Sequence, residues 1–207
     1  MPASAAAADA GVLWLAALQR ALGRAAHDVK DALNGVSVNL EVVRSRAARA
    51  EAPASAVAPF ADAAVQQLDR LTGLLEAVLA LGRSEREPVD VGITLRRVAT
   101  LCSASNAATD ARVVVRDVGV RDAYTRVPAD VVRLALVSPL LEAVAGQRSE
   151  PRGLVECELA SEADTLVVRL HAGRPVPMPP ELAEPLRAAG VTWSESADER
   201  SLLFPRA

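Results

Sequence analysis

The sequence predicts an α+β protein in which an antiparallel helical hairpin, completed to a dimeric four-helix bundle by a second copy, is followed by an α/β sandwich. Three observations lead there. Between Val12 and Ala50 there is no proline, and Val29, Leu33, Val36, Leu40 and Val43 step by four, three, four and three, the seam of a long helix packed on other helices. After a break of proline, serine and small residues over Glu51 to Pro59, the residues Leu68, Leu71, Leu75 and Val78 resume the stepping, and a second helix runs to about Gly82. Beyond Pro88 the texture changes to short β-branched or alternating runs interleaved with helical stretches.

A two-helix hairpin leaves apolar flanks uncovered, and each exposed valine or leucine forfeits about 1.5–3 kcal/mol of burial energy. Pairing of two hairpins into a homodimer covers those flanks; helices from the second half of the chain, packed on the hairpin, are the alternative. The chain therefore divides into a tail over residues 1–10, a hairpin over 11–86 and an α/β unit over 87–207. In the last, helices are expected over Ile93–Leu101, Ala129–Ala145 and Pro179–Ala189, and strands over Arg112–Val115 and Ala123–Val127. Gly153–Leu159 and Thr165–His171 read as an antiparallel pair, with Val191–Trp193 and Ser201–Phe204 closing the sheet.

Composition narrows the class. Hydrophobic residues make up 51% of the 207 but aromatics only 2%, so the core must be aliphatic and close-packed. The net charge of −3, with arginines scattered among acids, lacks the basic stripe of a nucleic-acid binder. Cys102 and Cys157 stand far apart without metal-ligand spacing and read as core residues of a protein in a reducing cytoplasm. The amino terminus carries no basic segment ahead of an apolar run, and no stretch reaches roughly 18 uninterrupted apolar residues, so neither secretion nor a membrane span is expected.

Chemistry concentrates at the first of two histidines. At about 100° per residue, the stripe of Val29, Leu33, Val36, Leu40 and Val43 is centred about 200° around the helix from His27, which points the imidazole at solvent. Lys30, Asp31 and Asn34 share its face, and Lys30 is the only lysine in the chain. A neutral exposed imidazole offers one ring nitrogen as a nucleophile towards phosphorus. Asp28 or Asp31 is positioned to accept the proton of the other nitrogen, fixing the tautomer and stabilising the cation formed on phosphorylation, while Lys30 neutralises phosphate oxygens. The same residues also make an ordinary solvated helix face. His171, at a strand end, reads as a hydrogen-bonded edge residue and is assigned no role.

The run His27-Asp28-Val29-Lys30-Asp31-Ala32-Leu33-Asn34, followed by Val38-Asn39-Leu40-Glu41, resembles the phosphoacceptor box of two-component histidine kinases: histidine, acid, hydrophobe, basic residue, then a leucine one turn on. Its place near the middle of the first long helix matches that family's dimerisation and phosphotransfer domain. Two positions depart from the pattern. Asp31 stands where the family has threonine or asparagine, linked there to dephosphorylating the partner, and Ala32 replaces the usual proline, so no kink is expected.

The order of elements after Pro88 resembles the ATP-binding domain of the same kinases, with its motifs erased. The helix Val132–Ala143 carries Ser138 and Glu142 in place of two asparagines, although glutamate remains able to ligate magnesium through oxygen. Ala172 stands where an aspartate hydrogen-bonds adenine, Arg174 and Val176 replace glycines, and between Pro180 and Trp193 only Gly190 remains of a glycine-rich lid. An adenine amino group buried without its acceptor costs about 1–3 kcal/mol.

The resemblance therefore implies a degenerate kinase-type ATPase sandwich and a histidine phosphotransfer protein that relays a phosphoryl group between response-regulator receiver domains through His27. It implies no cofactor on this chain, with magnesium supplied by the receiver. A divergent but active kinase and a non-catalytic dimeric scaffold are the alternatives.

Overall fold

The computed structural model describes residues 2–49, 53–83, 88–104, 112–117, 120, 122–146 and 154–207. Helix α1 covers Pro2–Ala47 and α2 covers Ala58–Leu81, joined through a 3-10 turn at Ala54–Ala56. α1 begins at Pro2 rather than Val12, so the segment expected to be a tail continues the helix. Its six alanines explain why, since alanine has the highest intrinsic helix propensity. The connection is closed by Arg46, whose guanidinium donates to the Ala56 carbonyl at 2.7 Å and lies over the Phe60 ring at 4.6 Å. Pro59 in the first turn of α2 suits a position whose N–H has no helical acceptor.

The expected seam is split by the packing. Val36 is buried and Val29 and Val43 are half-buried, whereas Leu33 and Leu40 remain about half exposed at 50% and 51%. Ala64, Leu71 and Leu74 form the buried stripe of α2, while Leu68, Leu75 and Leu79 are exposed. At Gly35 the side-chain amide of Gln67 lies across the hairpin where a β-carbon would stand.

The α/β unit contains α3 (Val91–Ala104), α4 (Ala129–Gly146) and α5 (Pro180–Ala188). Its five-stranded sheet has the order β2-β4-β5-β7-β6, from Arg112–Asp117, Leu154–Glu162, Thr165–His171, Glu199–Pro205 and Thr192–Glu195. The antiparallel pair expected from the sequence is β4 with β5, in the register Cys157 to Leu170 and Leu159 to Val168. β2 runs parallel to β4, the strands being connected through α4. The segment expected as a strand around Ala123–Val127 shortens to β3 (Tyr124–Thr125), which pairs outside this sheet with β1 (Val89–Asp90). Expected strand residue Gly153 and linker residues 84–87 lie outside the described residues.

Alternation sorts the strands. Val155, Cys157, Leu159, Leu166, Val168, Leu170, Leu202 and Phe204 face inward and share one core with Val98, Leu134, Leu140 and Leu186 from the helices. Glu156, Glu158, Arg116 and Arg169 stand on the other face and pair across strands, Arg116 with Glu156 at 2.6 Å and Arg169 with Glu158 at 3.1 Å. Cys102 and Cys157 are buried free thiols, and burial pushes Cys157 up to about 12. α4 is the central element: every residue from Val131 to Leu141 is buried, as befits a helix apolar on all sides. Pro139 within it supplies no N–H to the Ala135 carbonyl one turn earlier.

The second face of α4 is covered by α1. Ala10, Trp14, Ala17, Ala21 and Ala25, spaced by four, three, four and four, are buried in the common core, and this half of α1 packs on α4, α5 and α3. The alternative of helices from the second half completing the hairpin is thus realised over the first half of α1. Arg133, 4% exposed, ties the parts together: it donates to the Arg83 carbonyl at 2.7 Å and lies 5.8 Å from the Trp14 ring.

At the far edge of the sheet, Arg200 is 1% exposed and donates to Glu195 at 2.6 Å. The guanidinium holds the Glu195 carboxyl below its ordinary value, against the opposing effect of burial, with a further contribution from the Met178 N–H. A carboxyl lowered in the folded state stabilises the fold above its unfolded pKa, and that contribution disappears as pH falls through the folded value. Replacement Glu195→Ala leaves the buried guanidinium unpaired and is expected to cost about 2 kcal/mol at pH 7 in urea denaturation. The difference from the unaltered protein should shrink as pH falls through the lowered value of Glu195, below the ordinary carboxylate range, where both lack the charge.

Candidate functional site

His27 sits on α1 just beyond Ala25, the last residue of the stripe buried against α4. Its side chain is 77% exposed, and its Nδ1 lies 2.9 Å from Oδ2 of Asp31. The pairing follows from helix geometry, because residues four apart stand one above the other on the same face. A carboxylate at Nδ1 selects the tautomer with the proton on that atom and leaves the Nε2 lone pair directed away from the pair, towards solvent. Of the two acids that the sequence offered for this task, the one on the ring is Asp31; Asp28 is half-buried and turned about 100° around the helix.

The remaining residues arrange as the helix angle requires. Lys30 and Asn34 are exposed on the face of His27, about 60° and 20° from it, and Lys30 has no ion pair among the described residues. Below them on the same face come Val38, 62% exposed, and Glu41, paired with Arg44 at 2.8 Å. Sequence reasoning placed all five candidate residues on one helix but did not single out Val38. Its signal is a valine three turns from the histidine, off the seam, where a solvated face calls for a polar residue.

The α/β unit shows what surrounds the positions at which the kinase resemblance places a nucleotide. Ala172 is buried, and its N–H donates to the Asp198 carbonyl at 3.3 Å. Gly173 adopts φ +65°, and Arg174 then reaches back to donate to the Glu142 carbonyl at 2.5 Å, near the end of α4. Glu142 is exposed and Ser138 is buried at 5%. Among the described residues, no group of three or more histidine, cysteine or acidic side chains is placed to hold a metal ion, and no helix is long and apolar enough to cross a membrane. His171 ends β5 and lies 3.7 Å from Glu199 on β7, but β5 runs between β4 and β7, so the expected edge residue is paired on both sides, with Glu156 and Glu199.

No protein-family model matches the chain, and no curated protein matches it by sequence. Comparison with solved structures finds similarity to the Acinetobacter baumannii histidine kinase AdeS at 7% identity and a TM-score of 0.40, covering 86% of this chain and 97% of that one. It also finds histidine kinase ThkA, solved in complex with response regulator TrrA, at 13% identity and 0.46, covering 93% and 63%. A structure of a bacterial phosphotransferase aligns at 16% identity and 0.41, covering 95% and 96%.

The geometry predicts an observable tautomer preference. In nitrogen-detected NMR of the neutral ring, His27 is expected to carry its proton mainly on Nδ1, and Asp31→Asn to shift the population towards Nε2–H. Asp28→Asn should leave the ratio nearly unchanged. Because the pair is exposed, Asp31→Asn should not alter stability by more than about 0.5 kcal/mol.

Proposed function

We propose that the chain is a histidine phosphotransfer protein of two-component signalling that relays a phosphoryl group between response-regulator receiver domains without using ATP. The observation that carries this reading is the exposed imidazole of His27, held at Nδ1 by Asp31 with Nε2 turned outward. In the proposed step Nε2 attacks the phosphorus of a receiver's aspartyl phosphate. The N–P bond forms as the P–O bond to the aspartate breaks, and the freed carboxylate departs with the electron pair. The Nδ1 proton stays between the ring and Asp31, whose charge stabilises the phosphoimidazolium. Lys30 is positioned to offset phosphate charge, and Asn34 and Val38 continue the surface on which a receiver docks. The reverse step delivers the group to a second receiver's aspartate, with magnesium contributed by the receiver. A cytoplasmic location follows from such partners.

A homodimer is part of the proposal. Leu33 and Leu40 are rotated about 40–60° out of the interhelix seam from Val36, and Leu68, Leu75 and Leu79 about 40–80° from Leu71, in the same sense along each chain. Because the helices are antiparallel, equal senses of rotation bring both stripes to one side of the hairpin. That side is apolar, exposed and continuous, which supports a symmetric four-helix bundle with a second copy.

Two experiments test the reading. Radiolabelled phosphate presented on a phosphorylated receiver should appear on this chain as acid-labile, base-stable phosphate. His27→Ala and His27→Gln should abolish it while leaving receiver binding and the melting temperature unchanged. Asp31→Asn should slow transfer by roughly tenfold to a hundredfold. Transfer at the full rate by His27→Ala would sink the mechanism, and retention of ATP-dependent labelling of the isolated chain would restore the kinase alternative. For the dimer, Leu33→Glu or Leu75→Glu should convert the species seen by light scattering at micromolar concentration from two chains to one.

A further inference from the structure

The connection from β5 to α5 is governed by its prolines. Pro175, Pro177, Pro179 and Pro180 have φ fixed by their own rings, and Arg174, Val176, Met178 and Pro179 each precede a proline, which pushes the backbone to extended values. Every residue from 174 to 179 is therefore biased towards a polyproline II helix. Pro179 adopts it, at φ −57° and ψ 130°, and residues 175–179 belong to no helix or strand. Three residues make one turn of such a helix, so residues three apart share an edge, and burial follows that period. Val176, 6% exposed, and half-buried Pro179 form the edge set into the protein. Pro177 and Pro180 are exposed on a second edge, and exposed Pro175 with half-buried Met178 make the third. Hydrogen bonds fasten the strip along its length: Arg174 to the Glu142 carbonyl, the Met178 N–H to Glu195 at 3.1 Å, and the Leu182 N–H to the Pro179 carbonyl at 3.0 Å. Between 175 and 180 only Val176 and Met178 carry an N–H, so the strip cannot receive a partner strand through a backbone ladder. Recognition must come through the proline rings.

We propose that Pro175–Pro180 is a docking ligand for a partner domain with a groove lined by aromatic rings, of the kind that reads proline pairs three residues apart, with Pro177 and Pro180 entering the groove. Such a groove takes two edges of a polyproline II helix and leaves the third outside, and here the third is the edge anchored through Val176. The fixed backbone removes much of the ordering cost of binding. Arg174, engaged on the Glu142 carbonyl, is not the anchor, so the groove it suits binds through prolines rather than through a salt bridge. The proposal stands independently of phosphotransfer at His27.

A WW domain and an SH3 domain, each isotope-labelled, are the probes. Titrated with the full chain to millimolar concentration, at least one of them is expected to show saturable NMR shifts of the tryptophan indole N–H in its groove, reversed by an excess of oligoproline peptide. Pro177→Ala and Pro180→Ala should each weaken binding about fivefold or more, the loss of a ring packed between aromatics. Both positions are exposed, so the fold should be retained. Val176→Ala, on the buried edge, should instead lower the melting temperature while leaving the affinity unchanged. Failure of both domains to bind, shifts confined to residues outside the groove, or undiminished binding by the double variant Pro177→Ala with Pro180→Ala would each overturn the proposal.

Discussion

The rest of the molecule depends on a rotation of the buried face along α1. A single helix of 46 residues is asked to bury two different stripes. Near its start, Ala10, Trp14, Ala17, Ala21 and Ala25 face α4 and α5; further on, Val29, Val36 and Val43 face α2. On a straight helix the first set is centred about 60° from the second. The small side chains of the first stripe let α1 lie close against a helix that is itself already packed on the sheet. The valines of the second form the seam between two antiparallel partners. Neither unit is therefore complete without α1: the hairpin loses one of its two helices, and α4 loses the cover on its outer face.

The candidate site occupies the position where that change of partner happens. His27 follows Ala25 and precedes Val29, on the side of α1 that neither α4 nor α2 covers, and this accounts for its exposure. Rigidity comes from both sides at once, since the helix is clamped before the histidine by the α/β unit and after it by α2. Ala32 in the turn that follows keeps the backbone ladder unbroken, so Asp31 stays in register one turn from His27. A loop-borne histidine would need other contacts to hold its ring; here helix periodicity alone brings a carboxylate to Nδ1.

Much of this was legible in the sequence because it depends on periodicity. The outward direction of His27, the β4–β5 pair and the helix through Ala129 follow from spacing that no tertiary contact overrides. The choice between Asp28 and Asp31 stays open in the sequence, because both acids lie within reach of an exposed ring and only the folded helix distinguishes an offset of one residue from an offset of four. The heptad seam reads as one stripe although it serves two purposes, Val36 turning to α2 while Leu33 and Leu40 stay outside. The stripe over Ala10 to Ala25 was hidden by composition: alanine-rich sequence reads as low complexity, and its packing role shows only once alanines recur at helical spacing around Trp14. The parallel pairing of β2 with β4 was not legible either, since no local signal specifies which strand a crossover through α4 rejoins.

The α/β unit then takes on a definite physical role, that of a support for α1. Its central helix is buried on every side, so the face towards α1 is as much a part of the core as the face towards the sheet. Around it, the loop after β5 is turned inward by Gly173 and fastened to the end of α4 through Arg174, while Arg133 joins α4 to Trp14 and to the end of the hairpin at Arg83. These contacts use the space and the polar groups of the loop and helix ends for structure. Under the proposed phosphotransfer such fastening is an advantage, because orienting a receiver towards Nε2 requires that the helix bearing it does not move. Opening this junction to admit a large ligand would uncover Trp14 and the alanine stripe together, and the loss of that burial opposes any motion that separates α1 from α4.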